Sequence, residues 1–221
     1  MAFKGIARDN LVYALIAIII IIIIIFAFLF STNQLVPAYI EDSTLGKNWG
    51  EDIDERQGSS SMLGLEKWAS FTYRNDNDTY PAYVTVTSMK TLFMMNENEL
   101  FSKTVETINK ASEDGIVIDE NSSVTGNRAL ANGHKTYYII YDGNDTSKNP
   151  KEKIKIIGET WSCSVSGTSV ICIGFAQITD NTHNNSIIDL TYWSKIIRDE
   201  SGTFGENYLK NDGLLFNVKC H

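Results

Sequence analysis

The chain is poor in the residues that most often carry chemistry. Among 221 residues there are three cysteines, Cys163, Cys172 and Cys220, and three histidines, His134, His183 and His221. No C-x-x-C pair occurs, so the cysteines lack the spacing of a zinc finger or ribbon and predict no metal site. No histidine stands in H-E-x-x-H. The G-x-S-x-G, S-x-x-K, G-x-G-x-x-G and Walker A patterns are missing too. The sequence therefore predicts no catalytic residue, no cofactor and no metal. Positive charge is also short, with 19 Lys+Arg against 27 Asp+Glu. The first ten residues hold Lys4, Arg8 and Asp9, which leaves 17 basic and 26 acidic residues beyond them, a net charge of −9. That balance argues against a nucleic-acid partner, because phosphates demand a basic footprint. Acid clusters at Asp52, Asp54 and Glu55, at Asp76 and Asp78, and at Asp142 and Asp145 read as solvated loop carboxylates. None has EF-hand spacing.

What the sequence does have is one long apolar run, Leu11 to Phe30, with eight successive isoleucines from Ile18 to Ile25. Twenty residues at helical rise reach about 30 Å, the hydrocarbon thickness of a bilayer. The run is too long for a signal-peptide core and ends on bulky residues where a cleavage site needs small ones. It predicts a single-pass transmembrane helix. Lys4 and Arg8 before it, with acids dominating after it, predict a cytoplasmic N-terminus and an extracellular C-terminal part. The expected division is 1–10 cytoplasmic, 11–30 transmembrane, 31–61 polar linker and 62–221 an extracytoplasmic α+β domain. Lys4-Gly5-Ile6-Ala7 ahead of the run resembles the class III signal of archaeal pilins and archaellins. That resemblance implies cleavage after Gly5 and a filament subunit. Ser31, Thr32, Asn33 and Pro37 predict a break after the run, where a pilin helix would continue.

Beyond the linker, the alternation in Tyr83 to Ser88 marks a strand rich in β-branched residues. Asn96 with Glu99 three residues later predicts a capped helix to about Glu113, with Phe101, Val105, Ile108 and Ala111 on its apolar face. Asn132-Gly133 predicts a type I′ hairpin between strands around Gly126 and Tyr141. Gly167-Thr168 predicts a two-residue turn in the next hairpin. That turn would set Cys163 opposite Cys172, close enough for a disulfide. Cys220 is the alternative partner of either. Ser186 and Asp189 open a second helix carrying Leu190, Trp193 and Ile197, and Leu214 to Cys220 form a possible last strand. Tyr137, Tyr138, Tyr141, Trp161 and Phe175 read as core packing on two faces of a sheet. Four sequons, at Asn77, Asn121, Asn144 and Asn184, are candidate glycosylation sites in polar, turn-like stretches.

The predicted order is an antiparallel sheet with one helix after the first hairpin and another near the C-terminus. This resembles the PsbP-like α/β/α fold, on the helix at Asn96 to Glu113, the strand pair from Gly126 to Tyr141 and the hairpin from Ile154 to Ile178. The resemblance implies an α/β/α sandwich and a domain that binds other proteins or stabilises an assembly. The functional expectation is a non-catalytic accessory or binding subunit of a membrane or cell-surface assembly, with a protein partner. The alternatives are a pilin-like filament subunit and an extracytoplasmic hydrolase with an unrecognised site.

Overall fold

The computed structural model describes residues 18–22, 34–61, 66–91, 93–110, 115–180, 187–198 and 213–221. Seven strands form one sheet: β1 (Trp49–Ser61), β2 (Glu66–Asn75), β3 (Ala82–Lys90), β4 (Ile116–Ala129), β5 (Lys135–Asp145), β6 (Glu152–Cys163) and β7 (Thr168–Gln177). Their spatial order is β1-β2-β3-β7-β6-β5-β4, and every neighbouring pair is antiparallel. The chain leaves the sheet after β3, crosses one face in a helix, re-enters at the far edge as β4, and meanders back until β7 closes against β3. A small two-stranded ribbon, β8 (Thr179–Asp180) with β9 (Ile187–Ile188), follows.

The crossing helix is α2 (Glu97–Lys110), preceded in the chain by the short α1 (Asp42–Leu45). Its start is the reciprocal capping arrangement that the sequence predicts. The Glu99 N–H donates to Asn96 Oδ1 at 3.0 Å, and the Asn96 N–H donates to Glu99 Oε2 at 3.2 Å. Leu100, Thr104 and Ile108 form its buried stripe, so the inward face is rotated by one position from Phe101 and Val105, which are only partly buried. It lies over β6 at Gly158, where a Cβ would come within 2.5 Å of Thr104 Cγ2 and 2.8 Å of Ile108 Cδ1. Ile139, Tyr141, Ile154, Ile156 and Phe175 complete the core beneath α2.

The opposite face is covered by shorter pieces. Helix α3 (Thr191–Ile197) buries Trp193, Ile196 and Ile197, and a 3-10 turn at Leu215–Asn217 follows it. Segment 34–41 lies across this face, with the Ala38 N–H bonded to Ser88 Oγ at 2.7 Å and the Ile40 N–H to Tyr73 Oη at 3.0 Å. The C-terminal tail pairs with that segment through two 2.8 Å bonds between Tyr39 and Lys219. Segment 34–41 and the C-terminal tail thus help build one face of the core together.

Several expectations are corrected. The architecture is a large antiparallel sheet with few short helices, not an α/β/α sandwich. Among the described residues only α2 is a helical layer; α3 is seven residues long, and irregular segments cover more of its face. No helix among the described residues is long and apolar enough to cross a membrane. Within Leu11 to Phe30 the described helix is Ile18–Ile22. The single-pass anchor, and the cell-membrane location and orientation deduced from it, are corrected accordingly; the remainder of that run lies outside the described residues. The stretch read as linker contains β1, whose register to β2 shifts between Asp52 and Gln57. An edge strand held by backbone hydrogen bonds needs little apolar alternation, and the irregularity erases what period remained. The segment Leu214 to Cys220 is a 3-10 turn and a single bridge, not a strand.

Candidate metal centre

Two hairpin turns and the tail meet at one end of the face opposite α2. The β4–β5 hairpin does not use a type I′ turn on Asn132-Gly133. That turn requires positive φ at both residues, and among the described non-glycine residues only Arg198 has one. Instead Gly133, at φ 82°, closes the loop as a bulge residue, with the Gly133 N–H bonded to Leu130 O and the Leu130 N–H to His134 O, each at 2.9 Å. Asn132 is thereby turned to the tail. Its Nδ2 donates to Val218 O at 2.9 Å and approaches Cys220 Sγ at 4.0 Å, while its Oδ1 accepts the His134 N–H at 3.0 Å.

The β6–β7 hairpin turns through Ser164 to Gly167, four residues rather than two, and pairs Cys163 with Thr168. Cys172 then falls opposite Glu159, four positions back along β6. Four residues of strand span about 13 Å, beyond the Cα separation of roughly 4.4–6.8 Å that a disulfide tolerates. The predicted Cys163–Cys172 bridge is therefore corrected, and all three thiols are free.

The register that separates those two cysteines delivers Cys163 to a different cluster. Ligand atoms of His134, Cys163, Cys220 and His221 all lie within 4.8 Å of one another. Cys220 Sγ is 3.1 Å from His134 Nε2 and 3.5 Å from His221 Nδ1, and Cys163 Sγ is 3.4 Å from His221 Nδ1. The two imidazoles meet edge to face at 5.5 Å between centroids. A tetrahedral zinc site, with Zn–N of about 2.0–2.1 Å and Zn–S of about 2.3 Å, sets its ligand atoms about 3.3–3.8 Å apart. The cluster has that size and a two-sulfur, two-nitrogen composition that suits zinc among the divalent metals. Contraction by about 1 Å in its longest separations completes the fit.

The electrostatics favour the ligand form at Cys163 and His134 and oppose it at Cys220. Burial acts to raise the Cys163 thiol, but hydrogen bonding from Ser166, then from Cys220 and His221, outweighs it and brings the group down to about 7. Burial, followed by the proton shared with Cys163, pushes Cys220 up to about 12 against a lowering contact from Trp161. One of the two thiols therefore releases its proton readily and the other last, an asymmetry that a cation between them removes. Burial, and then the neighbouring His221, lowers His134, which keeps that imidazole neutral. Metal ligation requires deprotonated thiols and neutral imidazoles. Cys163 and Cys220 are buried, His134 is half-buried, and the terminal His221 is exposed.

On the same face, next along the sheet, Arg128 and Glu159 form a fully buried bidentate pair at 2.8 and 2.6 Å, with the Thr136 hydroxyl donating to the same carboxylate. Cys172 lies against this pair; burial and the Glu159 charge raise its thiol far above the ordinary range.

The sequon asparagines do not converge. Asn77 is half-buried, donates to Tyr192 Oη at 2.9 Å and accepts the N–H groups of Thr79 and Tyr80. Asn121 is exposed at the irregular stretch of β4, Asn144 is half-buried on β5, and Asn184 lies outside the described residues. The metal ligands escape motif reading because they are 29, 57 and 1 residues apart in the chain. The one available signal was the terminal Cys220-His221 pair beside two hairpin turns bearing a histidine and a cysteine. Compared with known protein families, curated proteins and solved structures, the chain matches none.

Proposed function

We propose that this domain binds one tetrahedral divalent metal ion, zinc by chemical preference, in a closed structural site, and serves as a non-catalytic accessory or binding module for a protein partner. The convergence of His134, Cys163, Cys220 and His221 carries the reading. Four protein ligands fill a tetrahedral ion, whereas catalytic zinc keeps one position open for water. The ion would tie the tail to both hairpin turns and so lock the face that segment 34–41 and the tail help build. Of the three histidines, His134 and His221 are taken up by the cluster, which leaves neither as the base of a Ser-His pair; His183 lies outside the described residues.

Purified under reducing conditions and loaded with zinc, the full chain is expected to retain one equivalent after gel filtration, measured by native mass spectrometry. Cobalt in its place should give the visible bands of tetrahedral thiolate coordination. Cys163→Ser and His134→Ala should each lose the cobalt spectrum. Asn132→Ala, which frees the tail carbonyl and the His134 N–H, should weaken binding by about 10–100-fold. A reduced, folded wild-type chain that retains no zinc and shows no cobalt bands would refute the reading.

A further inference from the structure

We propose that Cys163 and Cys220 are also an oxidisable dithiol, so that a peroxide joins them and expels the ion. The proposal rests on the metal reading above. Both sulfurs belong to a cluster whose ligand atoms all lie within 4.8 Å, so joining them requires a shift of about 3 Å at most to reach the S–S length of about 2.05 Å. The movable partner is Cys220. It follows Lys219, which bridges to Tyr39, and belongs to no strand, whereas Cys163 pairs within the sheet. Cys163 is fixed at the end of β6. Cys172 cannot compete, because the register places it opposite Glu159 in the sheet interior. Both reacting sulfurs touch His221, which is exposed, so the cluster is one side chain from solvent.

The chemistry closes without a further reagent. One thiolate attacks a peroxide oxygen, the O–O bond breaks, and hydroxide leaves to give a sulfenic acid. The second thiolate attacks that sulfur, the S–O bond breaks, and a disulfide forms. Two thiolates, one hydrogen peroxide and two protons thus yield one disulfide and two waters; sulfur is oxidised and peroxide oxygen reduced. Two imidazoles remain, too few to hold the ion, and it leaves as the free dication. The tail stays fastened in both states, by metal when reduced and by a covalent bond when oxidised.

The test uses the zinc-loaded wild-type chain with excess hydrogen peroxide and a chromogenic zinc indicator. The expected result is release of one zinc per chain, a Cys163–Cys220 cross-linked peptide in non-reducing mapping, an unmodified Cys172, and renewed zinc uptake after thiol reduction. Zinc retained through the treatment would overturn this proposal and leave the metal site standing. Release with separate sulfinic acids, or with a link to Cys172, would also overturn it. A chain that binds no zinc at the outset removes the metal reading and this proposal with it.

Discussion

The two faces of the sheet are covered by different means. On one face a single fourteen-residue helix, α2, lies over the central strands and meets them through Leu100, Thr104 and Ile108. On the other, α3, the 3-10 turn, segment 34–41 and the C-terminal tail each cover a part. A continuous helix satisfies its own backbone, so its face needs only apolar contact. Irregular segments do not, and that face carries the pins: Ser88 and Tyr73 hold the incoming segment, Tyr39 and Lys219 hold each other, and Asn132 holds the tail. The Arg128–Glu159 pair and the Cys2His2 cluster lie on this face as well. Where chain segments from distant parts of the sequence must be held together, polar and metal-ligating groups replace helical regularity.

If the contrast is correct, single-site changes on the tail face should cost more than changes on the helix face. The largest effect is expected from Glu159→Ala. It leaves the Arg128 charge, 2 % exposed, without its carboxylate. Such a break costs about 3–5 kcal/mol, and the denaturant midpoint should fall in proportion. A loss below 1 kcal/mol would break the comparison.

A middle-sized effect should appear at alkaline pH through Tyr73. Burial raises its phenol to about 12, against a lowering bond from the Ile40 N–H. Below the ordinary tyrosine value of about 10, the group is protonated folded or unfolded and stability is unaffected. Between about 10 and 12 the unfolded state loses the proton while the folded state keeps it, so stability falls as pH rises. Two units correspond to about 2.7 kcal/mol. Urea titrations at stepped pH should show this decline in the wild type and a smaller one in Tyr73→Phe. Equal slopes would show that the tyrosine is not held as described.

The smallest effect belongs to the helix face. Asn96→Ala removes one half of the capping pair, and removing such a cap costs about 1 kcal/mol. Thermal melts should record a modest fall in Tm with the zinc equivalent unchanged. Loss of metal binding in this variant would mean that the two faces do not act independently.

Local chemistry made part of this molecule legible. The Asn96–Glu99 cap, the alternation of β3 and the pairing of β4 with β5 and of β6 with β7 depend on residues within one turn or one strand of each other, and they are as the sequence predicts, although both turns differ in type and Tyr137, expected in the core, is exposed. The β1 strand was not legible, because its pairing is made by the backbone at a sheet edge and its register shift hides any period. Nor was the extent of the β6–β7 turn. Gly167 supplies the positive φ that such a turn requires, yet a two-residue and a four-residue loop both place a glycine there, and the β6–β7 register is what separates them. That choice decides which side chain faces Cys163.

By itself, then, the sequence determined the antiparallel hairpins, the capped helix and the acidic surface, because each follows from residue type and near-neighbour spacing. Tertiary structure alone decided the strand order, the face on which segment 34–41 and the tail pack, and the meeting of His134, Cys163, Cys220 and His221. Those four come from two hairpins and the tail, and no local rule brings them within 4.8 Å. The sheet register does so, and register is a property of the packed whole.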